Sequence, residues 1–288
     1  MRPDASWVDR RSYPFESRYQ LLSAGEMHYV DEGQGPCLLL VHGTPTWSFE
    51  YRHVIAALSP HYRCVAPDHL GFGLSERPAA FAYTPEAHAA ALAEFVAHLG
   101  LQRFTLVVHD FGGPIALPLA LGASSPVQKL VILNSFAWPL NDDPKLAGAA
   151  RITGGPIGRL LYKYANASQR LIMPLAYGDK AKLTRAIHRQ YLEVFRDRDA
   201  RVEVLHALAK AMLASRDHYQ RLLDALPSLR IPALLLWGMK DSAFQPYQLA
   251  RWQSLLPHAS VARLEASGHW PQEEEPARVV EELRRFLN

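Results

Sequence analysis

The chain has little of several things that would mark a specialised class. It holds two cysteines, Cys37 and Cys64, in 288 residues, too few for a disulfide framework. Both lie in apolar stretches, which suits free buried thiols. No run of about 18 apolar residues occurs, so a membrane-spanning helix is excluded. Charge of one sign is not blocked either. The 31 Lys+Arg and 28 Asp+Glu are interleaved for a net charge of +3, and the basic stripe of a nucleic-acid binder is missing. The opening MRPDASWVDRRSYPF carries charge without the apolar core of a secretory signal. Thirteen histidines show no His-Glu-x-x-His spacing, and Gly71-Phe72-Gly73 lacks the third glycine of a dinucleotide-binding loop. The expectation is a cytoplasmic protein with no metal, no cofactor, no nucleic-acid partner and no membrane association.

What is present is a globular balance of 49% hydrophobic and 20% charged residues, enough for one large domain or a core with an inserted subdomain. Short apolar runs alternate with amphipathic stretches. Strands are predicted at Ser23–Asp31, Cys37–Val41, Tyr62–Ala66, Phe104–His109, Leu130–Leu133, Ile231–Gly238 and Ser260–Leu264. Helices are predicted over Phe49–Leu58, from Thr84 as N-cap to Leu99, over Gly112–Leu121, and over Pro276–Leu287. This alternation builds a mostly parallel sheet with helices on both faces. It stops between about residues 136 and 217, where the composition is helical and Arg185, Arg189, Arg196, Arg198 and Arg201 fall at spacings of solvated helix faces. The reading is an α/β core in two parts, 1–135 and 218–288, with a helical cap at 136–217.

Ligands of an open parallel sheet bind beyond the carboxyl ends of its strands, so polar residues directly after strands are the candidates for chemistry. Three such places stand out. VVHDFGGPIAL runs a strand into Asp110, with Gly112 and Gly113 permitting a tight turn and Val108 where the serine form of this motif has glycine. LLLWGMKDSAF puts Asp241 after a late strand, and ASGHWPQEE puts His269 after the last one. Singly, each has a bland reading: a helix cap, a turn aspartate, a loop histidine. Together they stand in the order nucleophile, acid, base, with HGTP in the loop after CLLLV where an oxyanion hole belongs.

The chain resembles the α/β-hydrolases that use an aspartate nucleophile, most closely the haloalkane dehalogenases, with epoxide hydrolases as near relatives. The residues that carry the likeness are HGTPTWSFEYR (42–52), APDHLGFGLSERP (66–78), VVHDFGG (107–113), Asp241 and GHWPQEE (268–274). The resemblance implies an α/β-hydrolase fold: a mostly parallel, eight-stranded sheet flanked by helices, with an inserted cap. It also implies Asp110 as nucleophile, His269 as base, Asp241 as its orienting acid, and the backbone N–H groups of Thr44 and Phe111 as oxyanion hole. Others of the family place a glutamate after the strand that here ends in Asn134.

An aspartate selects its substrate by chemistry. A serine attacking saturated carbon would leave an ether that water cannot open, whereas a carboxylate leaves an alkyl ester that an imidazole-activated water can open. The leaving group separates the two families. Dehalogenases aim N–H donors at the halide from a tryptophan after the nucleophile and an Asn or Glu in the His-Gly-x-Pro loop; here Phe111 and Thr44 stand at those positions. Trp47, Trp138 or Trp270 would have to substitute, with Asn134 a further candidate at the substrate. Tyr162, Tyr164, Tyr177, Tyr191 and Tyr219 are candidate donors to an epoxide oxygen. His109, beside the nucleophile, is expected to be turned away by the pleat. Phe49, Phe111, Phe136, Trp138 and Trp270 would give an aromatic lining for a small apolar substrate. The primary expectation is a haloalkane-dehalogenase-like hydrolase, monomeric or a homodimer. The alternatives are an epoxide hydrolase of the same mechanism and a non-catalytic ligand-binding hydrolase fold.

Overall fold

The apolar runs become one sheet in a computed structural model that describes residues 4–122 and 124–288. Residues 1–3 of the opening stretch lie outside the described residues. Strands β1 (Arg18–Leu22), β2 (Gly25–Glu32), β3 (Cys37–Val41), β4 (Arg63–Pro67), β5 (Phe104–Asp110), β6 (Val127–Ser135), β7 (Ala233–Gly238) and β8 (Ser260–Leu264) lie in the order β1-β2-β4-β3-β5-β6-β7-β8. Strand β2 is antiparallel to both neighbours, and every other pairing among the eight is parallel. Central β5 is buried along its whole length, the condition under which a strand reads as continuous apolar residues.

The single strand expected at Ser23–Asp31 is instead a hairpin. Ser23 and Ala24 form its turn, and the preceding RYQLL is an edge strand. Four of its five residues are at least partly exposed, so burial left little apolar signal in the sequence. Outside the stretch between β6 and β7 the longer helices are α1 (Arg52–Leu58), α2 (Pro85–His98), α3 (Gly112–Ala116), α4 (Pro246–Leu255) and α5 (Pro276–Leu287), with four-residue helices at Pro118–Leu121 and Pro271–Glu274. The Thr84 hydroxyl accepts the Ala87 N–H and starts α2. The helix expected over Gly112–Leu121 breaks at Leu117, and a short turn begins at Pro118, whose ring interrupts the backbone ladder.

From β3 the chain steps outward to β4 and back across to β5, which brings the loops after β3 and β5 together at the carboxyl end of the sheet. Helical segments occupy most of the stretch between β6 and β7. Two expectations change there and in the core. Arg201 is buried, and its guanidinium donates to the carbonyls of Phe195, Lys163 and Arg196, holding loops together where a solvated charge was expected. Both cysteines are free, but only Cys64 is buried, while Cys37 is half-exposed at the start of β3. Burial raises the Cys37 thiol to about 11 and that of Cys64 to about 12, so both stay protonated at neutral pH. No helix among the described residues is long and apolar enough to cross a membrane.

Candidate active site

At the end of β5, Asp110 adopts a φ of 49°, in the left-handed region that β-carbon-bearing residues rarely occupy. That turn lifts the carboxyl group out of the sheet at the mouth of the loop after β3. The approach is close: a β-carbon on Gly43 would lie 2.3 Å from that of Asp110, so this position of the His-Gly-Thr-Pro loop must be glycine. The Thr44 N–H donates to Asp110 Oδ1 at 2.7 Å. The Ser135 hydroxyl, from the end of β6, donates to the Asp110 carbonyl at 2.6 Å and pins the strained turn from the other side. Phe111 directly precedes α3 as its N-cap residue.

His269 is held at three points. Its Nδ1 lies 2.7 Å from Asp241 Oδ2, its N–H donates to the Ala176 carbonyl at 2.9 Å, and its own carbonyl accepts from His109 Nε2 at 2.8 Å. The fit at Ala176 is tight, since a β-carbon on Gly268 would come within 2.2 Å of that carbonyl oxygen. So held, the ring directs Nε2 toward Asp110 Oδ2, 3.5 Å away. Asp241 is in turn fixed by Asn134, whose Nδ2 donates to Asp241 Oδ2 at 2.8 Å and whose Oδ1 accepts the Gly238 N–H at 2.8 Å. The Ala243 N–H donates to Asp241 Oδ1 at 2.7 Å. Asn134 therefore orients the acid by contact.

His109 does more than pack. Its Nε2 donates to the His269 carbonyl and so carries a proton, while its Nδ1 lies 3.1 Å from Glu50 Oε1. Both side chains are fully buried, so the Glu50–His109 contact must hold a shared proton, whichever partner owns it. The Thr46 hydroxyl donates to the other Glu50 oxygen. This chain of contacts ties the loop after β3 to the main chain of His269. Sequence reading missed Glu50, because its contact with His109 is made between the loop after β3 and neighbouring β5 and leaves no mark along the chain.

The aromatic candidates separate by position. Trp47 packs in a cluster with Trp7, Tyr13 and Phe49, and Trp138 packs against Trp252 with the Arg251 guanidinium over it. Neither makes a ring contact with His269 among the described residues. Trp270 does, edge-on at 4.5 Å, and stacks on Tyr177 at 5.2 Å. Phe111 meets Phe136, which meets Tyr219 and Phe244. Phe244, missed by the sequence reading although it follows Asp241 by three residues, lies against His269 at 5.5 Å. Phe49 belongs to the Trp47 cluster. Of the five candidate tyrosines, Tyr164 is exposed and Tyr191 donates to Glu273. The hydroxyls of Tyr177 and Tyr219 and the indole N–H groups of Trp47, Trp138 and Trp270 are all buried with no partner in the protein, so among the tryptophans it is the contact with His269 that distinguishes Trp270.

Electrostatics distinguish the two ends of His269. Burial opposes charge on the imidazole, but the Asp241 carboxylate, then Asp110, overcome it and raise the group to about 10. Burial likewise acts to raise Asp241, yet the adjacent imidazolium and the hydrogen bonds it receives hold it below the usual carboxylate range. The phenol of Tyr219 is pushed well up by burial and by the charges of Glu86 and Asp110, so it is a neutral donor that feels the Asp110 carboxylate. No group of three or more His, Cys, Asp or Glu among the described residues is arranged to hold a metal.

A family model described as the alpha/beta hydrolase fold matches residues 36–276. The chain is 39% identical over 275 residues to haloalkane dehalogenase 2 of Mycobacterium bovis, covering 94% of this chain and 95% of the relative. It is 30% identical over 283 residues to a cis-3-alkyl-4-alkyloxetan-2-one decarboxylase of Shewanella oneidensis, covering 95% of this chain and 89% of the relative. The crystal structure of haloalkane dehalogenase DbeA from Bradyrhizobium elkani superposes with a TM-score of 0.86 at 23% identity, over 94% of this chain and 97% of the other, a likeness of fold.

Proposed function

As a member of the α/β-hydrolase family the chain is a hydrolase, and we propose that it displaces a leaving group from saturated carbon through a covalent ester on Asp110. The observation that carries this reading is the strained Asp110 turn, with Oδ1 held by the Thr44 N–H and Oδ2 facing His269. Oδ2 attacks the substrate carbon as the bond to the leaving group breaks, and the carboxylate becomes an alkyl ester. Water then adds to the ester carbonyl while His269 takes its proton. The negative charge that develops on the carbonyl oxygen falls where the Thr44 N–H already points. Collapse releases the alcohol and restores the carboxylate. Asp241 keeps the imidazole tautomer and balances its charge.

The protonation of His269 fits this order. In the free enzyme two carboxylates hold the imidazole protonated, and alkylation needs no base. Esterification neutralises Asp110, leaves Asp241 as the one facing charge, and lowers the affinity of the imidazole for its proton.

The leaving group is read first as a halide, by the likeness to proteins named haloalkane dehalogenases. An opening epoxide is the second reading, favoured by the unpartnered Tyr177 and Tyr219 hydroxyls and by Phe111 and Thr44 at the halide-donor positions. The relatives named for oxetan-2-ones extend that reading to other strained oxygen rings. The test is a panel of bromoalkanes, styrene oxide and a dialkyl oxetan-2-one run with wild type and Asp110→Ala. Halide release supports the first reading; diol formation or ring opening without halide release supports the second. Turnover that survives in Asp110→Ala, or tight binding without any turnover, overturns both.

A further inference from the structure

Ten large hydrophobic side chains are exposed among the described residues, and eight of them lie between Ile152 and Leu175. Their spacing is ordered. On the helical stretch from Pro156 to Ala165, Ile157, Leu160, Leu161 and Tyr164 recur at i, i+3, i+4 and i+7, one face of a helix. On the next stretch, Ser168 to Ala176, Leu171, Ile172 and Leu175 repeat the pattern after a single left-handed residue, Asn166. These are not faces turned to the core. The inward side is supplied by others, Gly158 and Tyr162 on the first stretch and Gln169, Met173 and Ala176 on the second, all buried. Each segment therefore carries two apolar faces, one of them in water. Ile157 is 65% exposed and Leu175 is 64% exposed, a degree that a monomeric surface does not ordinarily concentrate in one region.

Charge identifies the occupant. From Pro144 to Gly178 the sequence has five basic residues, Lys145, Arg151, Arg159, Lys163 and Arg170, and no Asp or Glu. Lys163 is paired with Asp199 at 2.8 Å, while Arg151, Arg159 and Arg170 are exposed beside the apolar stripes. A second copy of the chain docked through this surface by a two-fold axis would bring the same basic segment against itself, with no acidic residue in the segment to pair its arginines. A surface that is itself anionic, with an apolar layer beneath, matches both features.

We propose that this part of the cap is an interfacial docking surface for a bilayer bearing anionic headgroups. The apolar stripes lie below the headgroup level, and the arginines pair with lipid phosphates. The site beneath receives apolar substrates that partition into such a layer. This reverses the expectation of no membrane association, which rested on the absence of a spanning segment and did not address a helix lying in the interface.

The experiment is co-flotation of the full chain with vesicles of phosphatidylcholine alone and of phosphatidylcholine with three-tenths phosphatidylglycerol, at low and high salt. Wild type is expected to float with the anionic vesicles, at least tenfold more than with neutral ones at low salt, and to be released by high salt. Leu160→Ser with Leu175→Ser is expected to lower partition at least tenfold. Arg159→Gln with Arg170→Gln is expected to lower it about fivefold per arginine. Unchanged thermal unfolding of both double variants certifies their folding, and the salt dependence of wild type is an independent readout. Absence of flotation with anionic vesicles, or equal flotation by the variants, overturns the proposal. So does a dimer in sedimentation that both serine substitutions dissolve while vesicles are left unbound, which would assign the surface to a second copy.

Discussion

The two sides of the candidate site are built on opposite rules. On the side of the nucleophile and base, the polar atoms of Asp110, His269, Asp241 and Asn134 are engaged by named partners from loops after five different strands. Among the aromatic rings, donors stand buried with no partner in the protein: the hydroxyls of Tyr177 and Tyr219 and the indole N–H groups of Trp47, Trp138 and Trp270, of which Trp270 touches His269 and Tyr219 feels the Asp110 carboxylate. A fully paired network fixes geometry and cannot give up a donor without loss. An unpaired donor in an aromatic wall keeps its hydrogen bond for something that is not part of the protein. In the proposed reaction the paired network holds the chemical step, and an unpaired donor such as the Tyr219 hydroxyl is left to meet the leaving group.

Breaking the paired side has the largest effect. Asp110→Ala is expected to remove turnover by at least about 10⁴-fold on every substrate, measured as steady-state product release. Asp241→Asn is expected to cost about 10²–10⁴-fold in kcat, because the imidazole loses both its charge partner and its tautomer. Its pH profile should shift with it, which a purely structural loss would not produce. On the unpaired side the effect is smaller and selective. Tyr219→Phe is expected to lower epoxide opening about 10–100-fold while leaving release of bromide within a few-fold of wild type, and equal losses on both would erase the distinction between the two sides.

Two predictions concern the supports. Glu50→Ala strips the buried His109 of its partner, and a loss of about 2–4 kcal/mol is expected from the orphaned ring. Thermal unfolding would read this as a Tm lower by roughly 3–7 °C for a chain of this length. Unaltered unfolding would mean that the Glu50–His109 contact adds nothing. A pH-dependent effect follows from linkage. His269 binds its proton more tightly folded, up to about 10, than unfolded, where an ordinary histidine lies near 6.5. Its contribution to stability is full below about pH 6.5 and is lost as the pH rises toward 10. The difference in Tm between wild type and His269→Phe should narrow over that window.

Much of the paired side was legible in the sequence because each member follows a strand, and strands announce themselves as apolar runs. CLLLV, FTLVVHD and ALLLWG each lead into a residue that the fold brings to one place. Glu50 and Phe244 were not legible, for the same physical reason. Each makes its contact through the register of neighbouring loops, His109 reaching Glu50 from the next strand and Phe244 reaching His269 across β7 and β8. The three tryptophans could not be sorted by sequence either, since which indole packs against His269 is set by the fold and not by its neighbours along the chain. The edge strand β1 was missed because an exposed strand carries no burial pattern to read. Arg201 was misread for the converse reason: its spacing suits a surface helix, and only the fold wraps three carbonyls around it.

The central claim is that Asp110 forms a bond to carbon which His269 later opens. His269→Phe should separate the two events, because attack by the carboxylate needs no base while ester hydrolysis does. After incubation with a bromoalkane or styrene oxide, the account predicts an intact mass raised by the alkyl group, and a peptide map that places the whole increment on Asp110. An unmodified protein with every substrate that wild type turns over, or an increment on any other residue, would contradict it.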